Sequence, residues 1–342
     1  MATTSIEWTR GADGSPGMVW NPTTGCDRVS SGCDHCYAMT MAKRLKGMGS
    51  AKYQTDGDPR TSGPGFGVAV HNDALTIPLR IRKPRRIFVN SMSDLFHDGV
   101  PDDYIAQVFA VMAAAPQHTF QILTKRHARM RSLLTNDTFR ESVFLANNLD
   151  QGDILGDRWP LPNCWLGVSV ENQQWADIRV PALLNTPAVV RWISAEPLLG
   201  PVHLLNPWLT ATRRLDWVVT GGESGPGARP AHPDWFRSLR DQCVTASVPF
   251  LFKQWGEWQD GSRLPAGRHD TDHVIVIDGR HEPVTAHFHG GTPATDLTRA
   301  RLRNEPGTAS ATIISRVGKK AAGRLLDGRT WDQYPNVEEA TP

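Results

Sequence analysis

The sequence predicts an α/β protein in which parallel strands and crossover helices build a partial or full βα barrel. Three observations carry this. Short runs of β-branched and aromatic residues alternate with amphipathic segments over most of the chain. Nearly every such run is followed by a polar, charged or glycine cluster. The length, 342 residues, is one that a single barrel of alternating strands and helices reaches.

Taken in order, the first strand is expected over Met18 to Trp20, and a cysteine-rich loop leads from it into a helix over Tyr37 to Leu45. Gln54 to Gly67, with its Gly and Pro content, reads as a loop. The second strand, Arg86 to Asn90, precedes a helix over Asp103 to Ala114. Thr119 to Thr124 is followed by a helix at His127 to Leu134, and Trp165 to Val170 by one at Gln174 to Leu184. Val189 to Ala195 runs into a short connection, Trp217 to Thr220 into a helix over Asp234 to Thr245, and Pro249 to Phe252 closes the series. The barrel accounts for residues 1–260. Residues 261–316 are rich in Gly, Pro, His, Asp and Thr, with one strand at Val274 to Ile277, and read as an insertion or small subdomain. Residues 317–342 form a C-terminal segment expected to pack on the barrel. His269, His273, His281, His287 and His289 lack regular ligand spacing and read as solvated loop. No repeat of solenoid period is present.

The strand ends carry the functional signal. Asn21 follows the first strand, Asn90-Ser91-Met92-Ser93-Asp94 the second, Lys125 the third, Glu171 the fourth, Glu196 the fifth, Gly221-Gly222-Glu223 the sixth and Lys253-Gln254 the seventh. In a parallel barrel these ends converge on one mouth, where reacting groups sit. At any single position a polar residue that merely ends a strand explains the pattern equally well. Recurrence along the series favours a site.

A hydrophobic share of 39%, a charged share of 21% and a net charge of +2 exclude a disordered chain and an overall polyanion binder, so any nucleic-acid contact is local. No apolar run has the length of a membrane span, and Met1 to Arg10 contain Glu7 without a signal-peptide core. The chain therefore reads as cytoplasmic, where cysteines serve metals or chemistry rather than disulfides. The twelve tryptophans read as core or cleft-lining residues.

Three of the five cysteines, Cys26, Cys33 and Cys36, fall within eleven residues. Cys33 and Cys36 are spaced to chelate, Cys26 adds a third point, and Gly25 and Gly32 permit a tight backbone around the centre. A single zinc ion needs a fourth ligand, from His35 or another His, although His35 is poorly placed beside Cys36. A four-iron cluster held by three thiolates keeps one iron open. Cys164 and Cys243 read as buried small residues. A further alternative is a nucleic-acid-binding protein without catalysis, using Arg80, Arg82, Lys83, Arg85 and Arg86, or the run Lys125 to Arg131, although such runs also occur as solvated faces.

The segments Trp20-Asn21-Pro22-Thr23-Thr24-Gly25-Cys26, Cys33-Asp34-His35-Cys36-Tyr37-Ala38, Phe88-Val89-Asn90-Ser91-Met92-Ser93-Asp94-Leu95-Phe96, Gly167-Val168-Ser169-Val170-Glu171, Ser194-Ala195-Glu196-Pro197-Leu198-Leu199-Gly200 and Gly221-Gly222-Glu223-Ser224-Gly225, with the ending Gly318 to Gly328, resemble a phage-associated three-Cys-motif family. The cysteine loop also resembles that of radical S-adenosylmethionine (SAM) enzymes, whose TIM-like partial or full barrels carry three cysteines after the first strand. Their common spacing is C-x3-C-x2-C, whereas this chain has C-x6-C-x2-C. The resemblance implies a [4Fe-4S] cluster on Cys26, Cys33 and Cys36 and S-adenosyl-L-methionine as the second cofactor. It implies SAM contacts at Asn90, Ser91 and Ser93, a ribose contact at Glu171, and close backbone approach at Gly221 and Gly222. Glu196, Glu223 and Lys253 are then the catalytic, substrate-side residues. The implied partners are a flavodoxin or ferredoxin electron donor and a nucleotide or nucleic-acid substrate.

Overall fold

The computed structural model describes residues 1–11, 13–146, 159–260, 273–277, 280–283 and 312–336. In chain order its elements are β1 (Ala2–Thr4), β2 (Gly17–Trp20), β3 (Thr23–Thr24), α1 (Tyr37–Gly47), β4 (Ala69–Val70), α2 (Asn72–Leu75), β5 (Arg86–Val89), α3 (Asp102–Ala113) and β6 (Thr119–Thr124). There follow α4 (His127–Leu134), α5 (Asp137–Ala146), β7 (Cys164–Ser169), α6 (Gln173–Leu184), β8 (Val190–Ala195), α7 (Asn206–Thr210), β9 (Trp217–Gly221), α8 (Pro233–Thr245) and β10 (Phe250–Gln254). β11 (Trp258–Asp260), β12 (His273–Ile277), β13 (Arg280–Pro283), β14 (Thr312–Arg316) and α9 (Lys319–Ala322) complete the chain.

The main sheet has eight strands in the order β1-β2-β5-β6-β7-β8-β9-β10. Every neighbour from β2 to β10 is parallel, and β1 pairs antiparallel at one edge. The sheet curls into a half-barrel flanked by helices, with β1 and β10 as its edges. The C-terminal segment covers the β10 edge, where Phe252 N–H donates to the Trp331 carbonyl (2.9 Å) and Gln333 N–H to the Phe250 carbonyl (3.2 Å). An exposed strand edge is thereby satisfied.

The period-2 alternation of the strands sorts their side chains into two cores. Ile87, Val89, Ile122, Leu166, Val168, Ile193, Val218, Phe250 and Phe252 face outward and pack with residues of the helices, among them Ile105, Phe109, Met130, Val180 and Phe236. The concave face is filled by Phe88, Trp165, Trp192, Trp217, Val219 and Leu251, with Trp8 inserted from the N-terminal segment. Gly167 stands in register with Trp192, and a Cβ there would lie 2.4 Å from the indole ring, so glycine makes room for tryptophan. Toward the carboxyl ends the next layer is Ser169 and Ser194, so the interior passes from an aromatic floor to a polar mouth. At the opposite end Tyr334 packs against Trp217 and donates to the Glu7 carbonyl (2.8 Å), which seals the floor.

The second sheet, ordered β11-β14-β12-β13, is antiparallel and begins at Trp258, ahead of the boundary expected at residue 261. Arg280–Pro283 lacks the β-branched run that announces a strand, whereas Thr312–Arg316 carries one, and Val274 to Ile277 is the one strand of this sheet that was expected. His273 and His281 lie on β12 and β13, whereas His269, His287 and His289 lie outside the described residues. No helix among the described residues is long and apolar enough to cross a membrane.

Candidate functional site

A cavity of about 270 Å³ opens at the carboxyl ends of the parallel strands. Cys26, Cys33 and Cys36 line it together with Asn90, Ser91, Ser93, Lys125, Glu196, Gly222, Glu223 and Lys253, above the apolar Trp8, Phe88 and Leu123. Two other hollows, of about 410 and 560 Å³, lie beside α4 and α5 and behind the cysteine loop; neither gathers the cysteines. All five cysteines are free thiols, and Cys164 and Cys243 are buried in the outer core as expected.

The cysteine loop is built rather than draped. Gly25 has φ +86°, bridges to Ser93, and would place a Cβ 2.1 Å from the Gly67 carbonyl oxygen, so only glycine fits ahead of Cys26. Burial and the nearby Asp94 carboxylate push the Cys26 thiol well up. Cys36 forms the N-cap of α1, which sets the positive end of that helix at the third cysteine.

The long first interval is taken up by anchors. Asp27 accepts from Thr61 (2.5 Å) and Ser62 (2.9 Å) and pairs with His97 Nε2 (2.9 Å). Burial opposes ionisation of Asp27, but these three hydrogen bonds hold its carboxyl below the ordinary range. Ser30 donates to Glu171 Oε1 (2.7 Å), and a Cβ on Gly32 would lie 2.4 Å from the Glu171 side chain. Arg229 donates to the Ser31 carbonyl (2.8 Å) and to Asp34 (3.1 Å). Six residues between Cys26 and Cys33 thus give the loop three footholds, at the Asp27, Glu171 and Arg229 positions.

Two of the strand-end carboxylates take part in holding this loop, Glu171 directly and Glu223 through Arg229 and His35. Glu171 is fully buried and does not line the cavity; its Oε2 accepts from Arg179 (2.9 Å), itself 0% exposed, and Lys125 Nζ lies 3.7 Å from its Oε1. The local fold explains the pair. Asn172 caps α6 through Trp175 N–H (3.3 Å), and Arg179, two turns along, leans back toward the helix start where Glu171 lies. A carboxylate so enclosed is not available to a ribose. Glu223 lines the cavity, but Arg229 binds it at both oxygens (2.6 and 2.9 Å) and His35 Nδ1 lies 3.1 Å away. Burial works against the ionised form, yet the Arg229 and His35 hydrogen bonds hold Glu223 below the ordinary glutamate value.

The remaining residues divide similarly. Asn90 has φ +64°, is 3% exposed and donates to Thr23 Oγ1 (2.9 Å), while its Oδ1 is buried without a hydrogen-bond partner. A left-handed backbone and an unmet buried acceptor at a cavity wall make Asn90 a candidate for ligand contact. Ser91 accepts Tyr37 OH at its carbonyl (2.5 Å), and Ser93 donates to the Thr23 carbonyl (2.9 Å). Glu196 pairs with Lys253 (3.1 Å) and accepts from Ser194 (3.1 Å) at the far wall. A Cβ on Gly221 would lie 2.8 Å from Glu196 Oε1 and one on Gly222 1.9 Å from the Trp255 carbonyl, so neither position has room for a side chain. Arg179 and Arg229 are the site residues that sequence reasoning missed, and neither carries a local signal; Lys125 lines the cavity from the strand end, as its position in the sequence predicts.

Among the described residues no three His, Cys, Asp or Glu side chains are gathered as around a single ion. The donor set is three thiols spread around a cavity, with His35 turned to Glu223 and the Asn90 oxygen unmet. Three thiols lining one cavity are a donor set of the kind that iron–sulfur clusters take.

The basic run sits elsewhere. Arg86 begins β5 at the amino end of the sheet and is buried; it donates to the Arg10 carbonyl (2.7 Å) and stacks over Tyr334 (4.3 Å). Arg80, Arg82 and Lys83 are exposed on the segment leading to that end, opposite the cysteine loop.

Arg229→Ala is expected to cost roughly 2–3 kcal/mol at pH 7, because it leaves a buried carboxylate with one partner. A depressed carboxyl stabilises the fold above its unfolded value, and that contribution is lost as pH falls through the depressed value. The gap between wild type and variant in urea unfolding therefore closes in acid. A gap that persists unchanged in acid overturns the assignment.

A family model described as "Protein of unknown function (DUF5131)" matches residues 3–335. No curated protein and no solved structure matches the chain.

Proposed function

The chain belongs to the DUF5131 family of proteins of unknown function, and we propose that it is a radical-SAM-type iron–sulfur enzyme. The observation that carries this reading is the sharing of one cavity, at the carboxyl ends of a parallel half-barrel, by three free cysteines of one loop and the polar strand ends. Cys26, Cys33 and Cys36 would hold a [4Fe-4S] cluster, which would supply an electron drawn from a flavodoxin or ferredoxin for reductive cleavage of S-adenosyl-L-methionine.

The protein's own residues orient and exclude. The Asn90 Oδ1 accepts from the amino group of the bound SAM, which satisfies an otherwise orphaned acceptor. Ser91 and Ser93, pinned to Asn21, Thr23 and Tyr37, hold that wall in place. Trp8, Phe88 and Leu123 keep water from the cavity floor. Glu196 and Lys253 face the substrate as a charged pair. Glu171 and Glu223 are positioning residues that hold the cysteine loop. A nucleotide fits the substrate role better than a long nucleic acid bound along Arg80 to Lys83, because those side chains lie at the other end of the sheet from the cavity.

Anaerobic reconstitution with iron and sulfide tests the reading. About four irons per chain, charge-transfer absorption in the visible, and 5′-deoxyadenosine after addition of SAM and a reductant are expected. Stoichiometric zinc with no iron uptake sinks the cluster, and a stable cluster that never cleaves SAM sinks the chemistry.

A further inference from the structure

Three cationic side chains line the cavity with the cysteines: Arg28, Lys125 and Lys253. Arg28 belongs to the cysteine loop itself, and Lys253 is occupied by Glu196 at the far wall. Lys125 differs from both. It is the first residue after β6, its backbone N–H is fixed on Asp94 Oδ2 (2.9 Å), and its ammonium donates to Ser169 Oγ (3.3 Å). Its ion pair with Glu171 is long, at 3.7 Å, because the carboxylate is already held by Arg179 at 2.9 Å and Ser30 at 2.7 Å. Lys125 lines the same cavity as Cys33 and Cys36.

The charges facing this ammonium are Glu171 on the negative side and Arg179 on the positive side, while Asp94 is held on the Lys125 backbone N–H. With Lys125 these four groups cancel formally. Three thiolates then add negative charge to a site partly shut off from water, and each added electron deepens it. Arg179 is 0% exposed and engaged with Glu171 and the Ser169 carbonyl, so of these four groups Lys125 is the cation that lines the cavity with Cys33.

We infer that Lys125 raises the reduction potential of the cluster, a positioning and charge-compensating role that rests on the cluster reading above. The potential of an iron–sulfur centre follows its net charge, the hydrogen bonds to its sulfurs and its exposure to solvent. A fixed ammonium stabilises the reduced, more negative state and leaves the oxidised state less affected. Lys125 therefore makes the cluster reducible by a carrier of ordinary low potential.

The test is an anaerobic redox titration of the reconstituted full chain, followed by electron paramagnetic resonance of the reduced cluster, for wild type, Lys125→Met and Lys125→Arg. At a fixed potential the reduced-to-oxidised ratio of K125M falls tenfold or more, which is about 59 mV downward for a one-electron couple. K125R keeps the charge and titrates with wild type. Midpoints do not depend on occupancy, so partial loading leaves the comparison intact. Lys125→Gln provides a second neutral side chain and moves in the same direction as K125M. A K125M midpoint equal to or above that of a loaded wild type overturns the role of Lys125 alone; a wild type that takes up no iron overturns the cluster reading beneath it.

Discussion

Alanine at Cys26, Cys33 or Cys36 is expected to cut iron uptake from about four per chain to below one, with loss of the visible absorption and of 5′-deoxyadenosine formation. Two thiols of one loop do not hold a cluster against solvent, so each of the three substitutions has the full effect. Alanine at Cys164 or Cys243 leaves iron content unchanged, because both lie in the outer core away from the cavity. The apo proteins distinguish loss of a ligand from loss of the fold. Cys33 is part-exposed, so its alanine variant unfolds in urea near the wild-type midpoint. Cys26 and Cys36 pack on the cluster that holds Met92 and Phe66, and their variants carry an added cost of about 1 kcal/mol. Full iron loading in any of the three single variants removes the cluster assignment.

How far the chain could be read from its sequence depends on whether the signal was local. The parallel strands announced themselves because each is a short apolar run closed by a polar group, and β6, α4 and α6 lie within a residue of expectation. β1 escaped notice because Ala2–Thr4 forms a strand only by pairing with Met18 and its neighbours, a contact made across the chain. α5 begins three residues after Leu134, and its start, the turn-forming Asn136-Asp137-Thr138, is a helix cap in the fold. The filling of the half-barrel was equally hidden. Trp165, Trp192 and Trp217 are inward because of register, and Tyr334 joins them from the far end of the chain.

The site shows the same division. That polar residues would collect at one mouth followed from topology, and Asn90, Ser91, Ser93, Glu196, Gly222, Glu223 and Lys253 do line one cavity with the cysteines. Which of them remain free for a ligand did not follow. Glu171 and Glu223 look like Glu196 in sequence, each a carboxylate at a strand end, yet the first two are enclosed by arginines. Arg179 is set by the turn count of α6 and Arg229 by the loop after β9, so neither pairing leaves a sequence mark. The same blindness covers Arg86, whose place in a basic run suggested phosphate contact and whose place in the fold is an aromatic floor.

The largest effect on stability is expected from Glu171→Ala, at roughly 3–5 kcal/mol, because it strands a wholly buried guanidinium. Arg179 already has Nε and Nη2 without hydrogen-bond partners, so the carboxylate and the Ser169 carbonyl are what hold its charge. The cost is not confined to the pair. Ser30 loses its acceptor and Gly32 the surface it rests on, so the loop between Cys26 and Cys33 is freed on one side. Iron retention under a chelator should therefore fall with stability in E171A. The isosteric Glu171→Gln keeps an acceptor for Ser30 and separates the two effects: it loses the charge but retains the foothold, so its cluster outlasts that of E171A while its urea midpoint stays low. Removing both charges in Glu171→Gln with Arg179→Met recovers much of the lost stability, since neither ion is then buried without a partner. An E171A protein that unfolds at the wild-type midpoint and holds iron as tightly would show that the loop draws its order from elsewhere.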